Sequence, residues 1–263
     1  MRTIASLCGG EILLEAEGAI GRLTLARPAL RNALADRHWA ALGEALAACE
    51  REGLRALILR GEGGAFSAGA DLAELASLGQ RPGAPEAAAR RIQEVERRFA
   101  EAPLPTLAAI DGPCLGGGLG LALCCDARIA TAESRFGLAP ARLGLRYSPQ
   151  DCARLVAAVG LNGARRLLLG EPIDAAEAQR IGLVDELVPP EGLERRAREL
   201  AGHWLKLAPE AVAGIRRSLA ALVESLARAA EPLWGEFYGA FRSEEFQEGV
   251  RAFLGKRPPR WSG

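Results

Sequence analysis

The chain has 263 residues, 49% of them hydrophobic, and its 33 Lys+Arg balance 33 Asp+Glu for a formal net charge of zero. That length holds one large domain or two small ones, and the balanced charge argues against a nucleic-acid footprint or a membrane-surface role. No run reaches the roughly 18 uninterrupted apolar residues of a membrane span. The first ten residues are too poor in apolar side chains for a signal peptide, so a cytoplasmic location is expected.

Cysteines 8, 49, 114, 124, 125 and 152 show no Cys-x-x-Cys spacing, and the only histidines are His38 and His203. No metal site is expected, and the cysteines read as free thiols. Neither histidine lies near a Gly-x-Ser-x-Gly elbow, so both are assigned to structure rather than to a Ser/His/Asp triad.

In chain order, Ile12–Ala16 and Ile20–Ala26 read as strands joined by a turn at Glu17-Gly18, with Pro28 as the stop. Helical spacing of Leu34, Ala41, Leu42, Ala45, Leu46 and Cys49 predicts a helix from Asn32 to Arg51. Leu54–Arg60 is a strand, and a glycine-rich loop from Gly61 to Ala70 follows. Asp71 with Glu74 has the spacing of a helix cap, and a capping carboxylate with no chemistry is a sufficient reading of Asp71. Gly79–Pro85 is a polar break with the composition of a mobile loop. Glu86–Ala100 is an amphipathic helix, and Leu104–Ile110 is a strand.

That strand runs into Asp111-Gly-Pro-Cys-Leu-Gly-Gly-Gly-Leu-Gly-Leu-Ala-Leu-Cys-Cys-Asp126. Glycines at a helix start let a ligand approach the backbone, where the first N–H groups have no internal partner. Such a place favours an anion or a nascent oxyanion; close helix packing is the plainer reading. Ala127–Ala132 is a short strand, Ser134–Gly137 a turn or strand edge, and residues 140–152 a loop entering a helix. Asp174 with Glu177 repeats the capping pattern, and Leu183–Val188 is a strand closed by Pro189-Pro190. From Glu191 to Leu254 the pattern is helical, broken near Pro209, Pro232 and Ser243. A boundary near residues 190–200 divides an α/β body, 1–195, from a helical part, 196–263. Neither glycine loop has a dinucleotide or P-loop spacing, which argues against NAD and ATP. If the two loops converge, their N–H groups form a two-donor oxyanion hole.

Several motifs in order carry a resemblance. They are Arg27-Pro28…Asn32-Ala-Leu34, Phe66-Ser-Ala-Gly-Ala-Asp-Leu72, the Asp111–Asp126 stretch, Phe136-Gly137, Ala176-Glu-Ala-Gln-Arg-Ile-Gly-Leu-Val184 and Phe253-Leu-Gly-Lys-Arg-Pro-Pro259. Together they resemble the crotonase (enoyl-CoA hydratase/isomerase) superfamily almost end to end. The resemblance implies an α/β spiral of ββα units with a C-terminal all-helical oligomerisation domain, assembled as a trimer or a dimer of trimers. It implies an acyl-CoA substrate, with coenzyme A entering as part of that substrate and no separate cofactor. The thioester oxygen would sit between the N–H groups of Ala70 and Gly117, with Ala68, Asp71 and Leu72 along the CoA path and Lys256 or Arg257 at a phosphate.

The departures bear on the reaction. Hydratases of the family use two glutamates; here Gly120 and Pro140 stand at those positions. General acid/base work on water cannot come from either residue. The segment Pro140-x-x-Leu143-Gly144-x-x-Tyr147 resembles the loop of methylmalonyl-CoA decarboxylases, in which a tyrosine lies near the departing carboxylate, although those enzymes carry a histidine at the position of Ala70. A packed loop aromatic is the plainer reading of Tyr147, and Arg146, Ser148, Asp151 and Glu74 are alternative polar groups. Decarboxylation or isomerisation through an enolate is therefore expected ahead of hydration. The alternatives are a hydratase whose acid/base residue is unplaced and a non-catalytic CoA-thioester-binding subunit.

Overall fold

The structure, a computed structural model, describes residues 1–78, 81, 83–138 and 140–261. Strands β1 (Arg2–Leu7), β2 (Ile12–Glu17) and β3 (Ile20–Leu25) form an antiparallel meander. Next come α1 (Asp36–Arg51), β4 (Ala56–Gly61), α2 (Leu72–Leu78), α3 (Ala84–Glu101) and β5 (Thr106–Ile110). The chain continues through β6 (Pro113–Leu115), α4 (Gly117–Leu123), β7 (Ala127–Thr131) and β8 (Arg135–Gly137). Then follow α5 (Pro149–Leu169, interrupted at Gly160), β9 (Ile173–Asp174), α6 (Ala175–Arg180) and β10 (Glu186–Val188). Helices α7 (Leu193–Trp204), α8 (Pro209–Ala229), α9 (Trp234–Ala240) and α10 (Glu244–Leu254) close the chain.

Seven strands make one sheet in the order β1-β2-β3-β4-β5-β7-β10, parallel from β3 onward. A second sheet, β6-β8-β9, takes the chain where it leaves β5. Alternation along β4 shows why both faces of the large sheet are covered. Leu57 and Leu59 join Leu42, Leu46 and Phe99 in the main core, while Ala56 and Ile58 pack with Ala197 and Ala201 of α7.

Asp174 caps α6 through the Glu177 N–H at 2.8 Å, as its spacing predicts. Strand β1 and the short strands β6 and β9 escape the sequence pattern. Helix α1 also starts four residues later than expected, because Asn32 belongs to the preceding loop with φ 57. Its buried amide accepts from Arg27 N at 2.8 Å and donates to the Ala65 carbonyl at 2.7 Å. His38, 1% exposed, is structural as expected: Nδ1 accepts from Ala35 N and Nε2 bonds Glu11, each at 2.8 Å. The break at Gly79–Pro85 falls partly on residues 79, 80 and 82, outside the described residues.

The late helices are fastened to the end of α4 through Asp126. The Arg216 Nε of α8 reaches both Asp126 oxygens at 2.8 and 2.9 Å, and Asp126 also accepts from Thr106 N at 2.6 Å. Arg216 is buried whereas Asp126 is exposed, so removing the carboxylate would leave a buried guanidinium without its counter-charge. The apolar residues of these late helices fall in two groups. Phe237 and Phe241 are buried with Phe246 and Val250, whereas Ile215, Leu219, Leu222 and Leu226 form one exposed stripe on α8. No helix among the described residues is long and apolar enough to cross a membrane.

Candidate active site

The two glycine loops meet. Ser67 bridges Cys114 on one side, with Ser67 N donating to the Pro113 carbonyl at 3.0 Å and Leu115 N to the Ser67 carbonyl at 2.9 Å. Three residues on, Ala70 bridges Leu34 on the other side through the Gly69 carbonyl (2.7 Å) and the Asp71 N–H (2.9 Å). A parallel bridge of this kind uses the groups flanking Ala70, so the Ala70 N–H is left out of it. The switch of sides turns on Gly69, at φ 94, where an added Cβ would stand 2.9 Å from the Leu115 carbonyl and 3.3 Å from Gly117 N. Gly118 is pressed harder, since its Cβ would lie 2.5 Å from that of Ser67.

This contact sets Gly69, and Ala70 after it, against the start of α4 at Gly117, the first residue of the helix, whose N–H has no acceptor within it. Gly116 before it is held by its own N–H on the Gly137 carbonyl at 2.9 Å, and Trp39 packs beside Gly117. The two sequence-predicted residues thus stand on loops that touch, with Ala70 exposed and Gly117 half-buried. Fixed backbone donors of this kind suit an oxygen on which negative charge develops.

Asp71 follows at the start of α2. Its Oδ1 accepts from Ala73 N at 3.2 Å and Glu74 N at 3.3 Å, and its Oδ2 pairs with Arg27 at 2.8 Å. Burial works against its charge, but Arg27 and these N–H groups hold the carboxyl below its ordinary range. Glu74 is spent on the Asp36 N–H at 2.7 Å, at the start of α1. Ala68 and Leu72 are half-buried neighbours of the same loop, and Ala68 N is tied to the Arg31 carbonyl at 2.8 Å.

Gly120 lies one turn along α4 from Gly117 and so faces the same side. A Cβ there would be 3.6 Å from the Tyr147 hydroxyl. That hydroxyl is buried without a hydrogen-bond partner among the described residues. Burial, then the Asp151 and Glu96 carboxylates, push the phenol well above its ordinary range, so it stays a neutral donor. Pro140 opens a short 3-10 turn, Pro140–Leu143, and the backbone of α10 at Glu245 lies against Gly144 and fastens this loop. Ser148 caps α5, accepting from Asp151 N at 3.0 Å and donating to Asp151 Oδ2 at 2.6 Å. Arg146 points outward to Glu236, and Lys256 sits exposed beyond α10, its N–H on the Phe253 carbonyl at 3.1 Å.

One charged residue near Gly120 carries no obvious motif. Glu96, 1% exposed on α3, pairs with buried Arg154 of α5 at 2.7 Å. Its signal in the sequence is its place within the apolar stripe Ile92, Val95, Phe99, where a glutamate belongs only if it is partnered. Among the described residues no group of three or more His, Cys, Asp or Glu is arranged to hold a metal ion.

Known proteins resemble the whole chain. The family described as enoyl-CoA hydratase/isomerase matches residues 15–263. A Bacillus subtilis protein named "Probable enoyl-CoA hydratase" is 35% identical over 256 residues, covering 96% of this chain and 98% of that one. The short-chain-enoyl-CoA hydratase of Clostridium acetobutylicum is 32% identical over 257 residues, covering 94% and 95%. Among solved structures, a methylmalonyl-CoA decarboxylase in complex with 2-nitronate-propionyl-CoA superposes with a TM-score of 0.86 at 28% identity, covering 96% and 98%.

The site predicts the effect of Gly117→Pro. Proline is tolerated at a first helical position but has no N–H. Turnover of the best acyl-CoA should fall about 100- to 1000-fold, with circular dichroism and oligomer size unchanged; near-normal turnover in the folded variant would place the oxyanion elsewhere.

Proposed function

The chain belongs to the enoyl-CoA hydratase/isomerase family of the crotonase superfamily, and from that premise we propose that it is an enzyme that decarboxylates a 2-carboxyacyl-CoA through a thioester enolate. The observation that carries this reading is the pairing of a side-chain-free position 120 with the unpartnered Tyr147 hydroxyl. A buried donor without a partner is costly, and a ligand carboxylate would satisfy it.

In this reading the thioester oxygen lies between Ala70 N–H and Gly117 N–H, and Ala68, Asp71, Leu72 and Lys256 serve the CoA moiety. The bond from the α-carbon to the carboxylate breaks, carbon dioxide leaves, and the electron pair spreads onto the thioester oxygen. The Tyr147 phenol holds the carboxylate before it departs. No general base is required to start this reaction, whereas hydration needs a base for water and an acid for the α-carbon. Isomerisation proceeds through the same enolate. The names of the sequence relatives favour the second reading, a hydratase with its acid/base on other residues.

A screen of malonyl-, methylmalonyl- and crotonyl-CoA separates these readings. Turnover is expected on a 2-carboxyacyl-CoA, with crotonyl-CoA hydration slower by at least about 100-fold. Tyr147→Phe should lower kcat on the best substrate with little change in CoA-ester affinity. Brisk hydration of crotonyl-CoA by the wild type would overturn the proposal, and turnover of none of these esters would favour a binding subunit.

The same premise supports a homo-oligomer, a trimer or a dimer of trimers, with the apolar stripe of α8 as part of the covered surface. Leu219 and Leu222 are 57% and 65% exposed in the single chain, at the centre of that stripe. Light scattering should give three or six chains; a stable monomer at micromolar concentration contradicts the assembly.

A further inference from the structure

The space beside Gly120 is bordered by a carboxyl group from another helix. A Cβ built on Gly120 would stand only 3.1 Å from Glu96 Oε1, closer than an ordinary contact. That distance is within the span of a glutamate side chain, so a carboxyl oxygen occupies the region that a glutamate at position 120 would reach. The bare α4 position and the α3 glutamate are thus in contact: a side chain on the former would require the latter to shift.

The surroundings of Glu96 suit proton transfer. Arg154 Nη1 holds Glu96 Oε2 at 2.7 Å and Asp151 Oδ1 at 3.0 Å, leaving Glu96 Oε1 toward Gly120. A buried carboxyl, Glu96, and a half-buried one, Asp151, therefore share one guanidinium. Cys124, just past the end of α4, the Tyr147 phenol and Cys152 of α5 are further titratable groups of this neighbourhood. Burial and the Asp151 carboxylate push Glu96 well above the usual carboxylate range against the pull of Arg154. It thus keeps its proton at pH values where a surface glutamate has lost it. On its outer side Arg154 lines a surface cleft of about 570 Å³ with Gln93, Arg97, Gln150 and Glu224, which brings solvent within one side chain of the cluster.

We propose that Glu96 supplies, from α3, the carboxyl group that position 120 lacks, and that it is the proton donor to the α-carbon of the enolate. The proposal rests on the enolate reading above. Once carbon dioxide has left, the Glu96 O–H bond breaks and the α-carbon–hydrogen bond forms. The electron pair of the enolate becomes that bond, and the thioester carbonyl is restored. The resulting carboxylate is held by Arg154 and regains its proton from solvent through the Arg154–Asp151 side.

Microscopic reversibility gives a test that is independent of which reaction is physiological. Ionised Glu96 should remove an α-proton from a saturated acyl-CoA, so the intact protein in D2O should exchange the α-protons of acetyl-, propionyl- or butyryl-CoA, read by proton NMR. The rate should rise with pH as Glu96 ionises, through an apparent pKa above that of a surface glutamate. Glu96→Gln, which keeps shape but not the titrating group, should lower exchange at least about 100-fold and abolish that pH limb, with propionyl-CoA affinity by calorimetry preserved. Glu96→Ala should be equally slow. Adding Gly120→Glu to it should recover exchange by at least about tenfold, since the carboxyl returns from the α4 side.

A glutamate that only anchors Arg154 would give no such recovery. Wild-type exchange rates in the folded Glu96→Gln protein, absence of exchange in the wild type, or no recovery in the folded double variant each overturns the proposal. Exchange that depends on Glu96 in a protein that briskly hydrates crotonyl-CoA would instead overturn the decarboxylase reading and leave Glu96 in place.

Discussion

The structure depends on the contact of two backbones that only glycine permits. Segment 67–70 is pinned between Leu34 and β6, and Gly69 and Gly118 leave no Cβ where the two chains press together. A methyl group at either would collide with backbone or with Ser67, so the loops would part and the two N–H groups with them. Ser67 ties the same place from within, donating to the Asn32 carbonyl at 2.8 Å and accepting from Gly69 N at 3.1 Å. The two N–H groups of the proposed oxyanion hole are consequently placed by strand pairing. Donors fixed in this way would need no reorganisation when a ligand arrives.

Around that fixed point the polar groups divide by task. Asp71, Glu74 and Asn32 spend their capacity on helix starts and loop closure. Asp126 joins the end of α4 to α8 through Arg216, so the late helices brace the same helix whose first residue carries a donor. The groups that remain beside Gly120 are a neutral phenol and a glutamate sharing its guanidinium with Asp151. Both are proton-bearing groups in a low-dielectric setting, which suits a reaction whose hard step places charge on carbon and oxygen.

Much of this arrangement was legible in the sequence. Glycine clusters before helices, capping aspartates at 71 and 174, and the absence of carboxylates at 120 and 140 are local signals. The convergence of the loops was not local, because it rests on pairings between residue 67 and residue 114 and between residue 34 and residue 70. Strands β6 and β9, of three and two residues, are too short to show any period. Glu96 stands among Glu94, Arg97 and Arg98, and its burial comes from Arg154, 58 residues away. A glutamate inside the apolar stripe of α3 was the one available sign.

The proposed oxyanion hole would stabilise a negative oxygen better than the thioester carbonyl from which it forms. Calorimetric titration with a CoA thioester whose acyl group is a nitronate, an enolate-like anion, measures this directly against propionyl-CoA. The nitronate should bind at least about 100-fold more tightly, and Gly117→Pro should remove most of the difference. Equal affinity for the two esters in the wild type would contradict it.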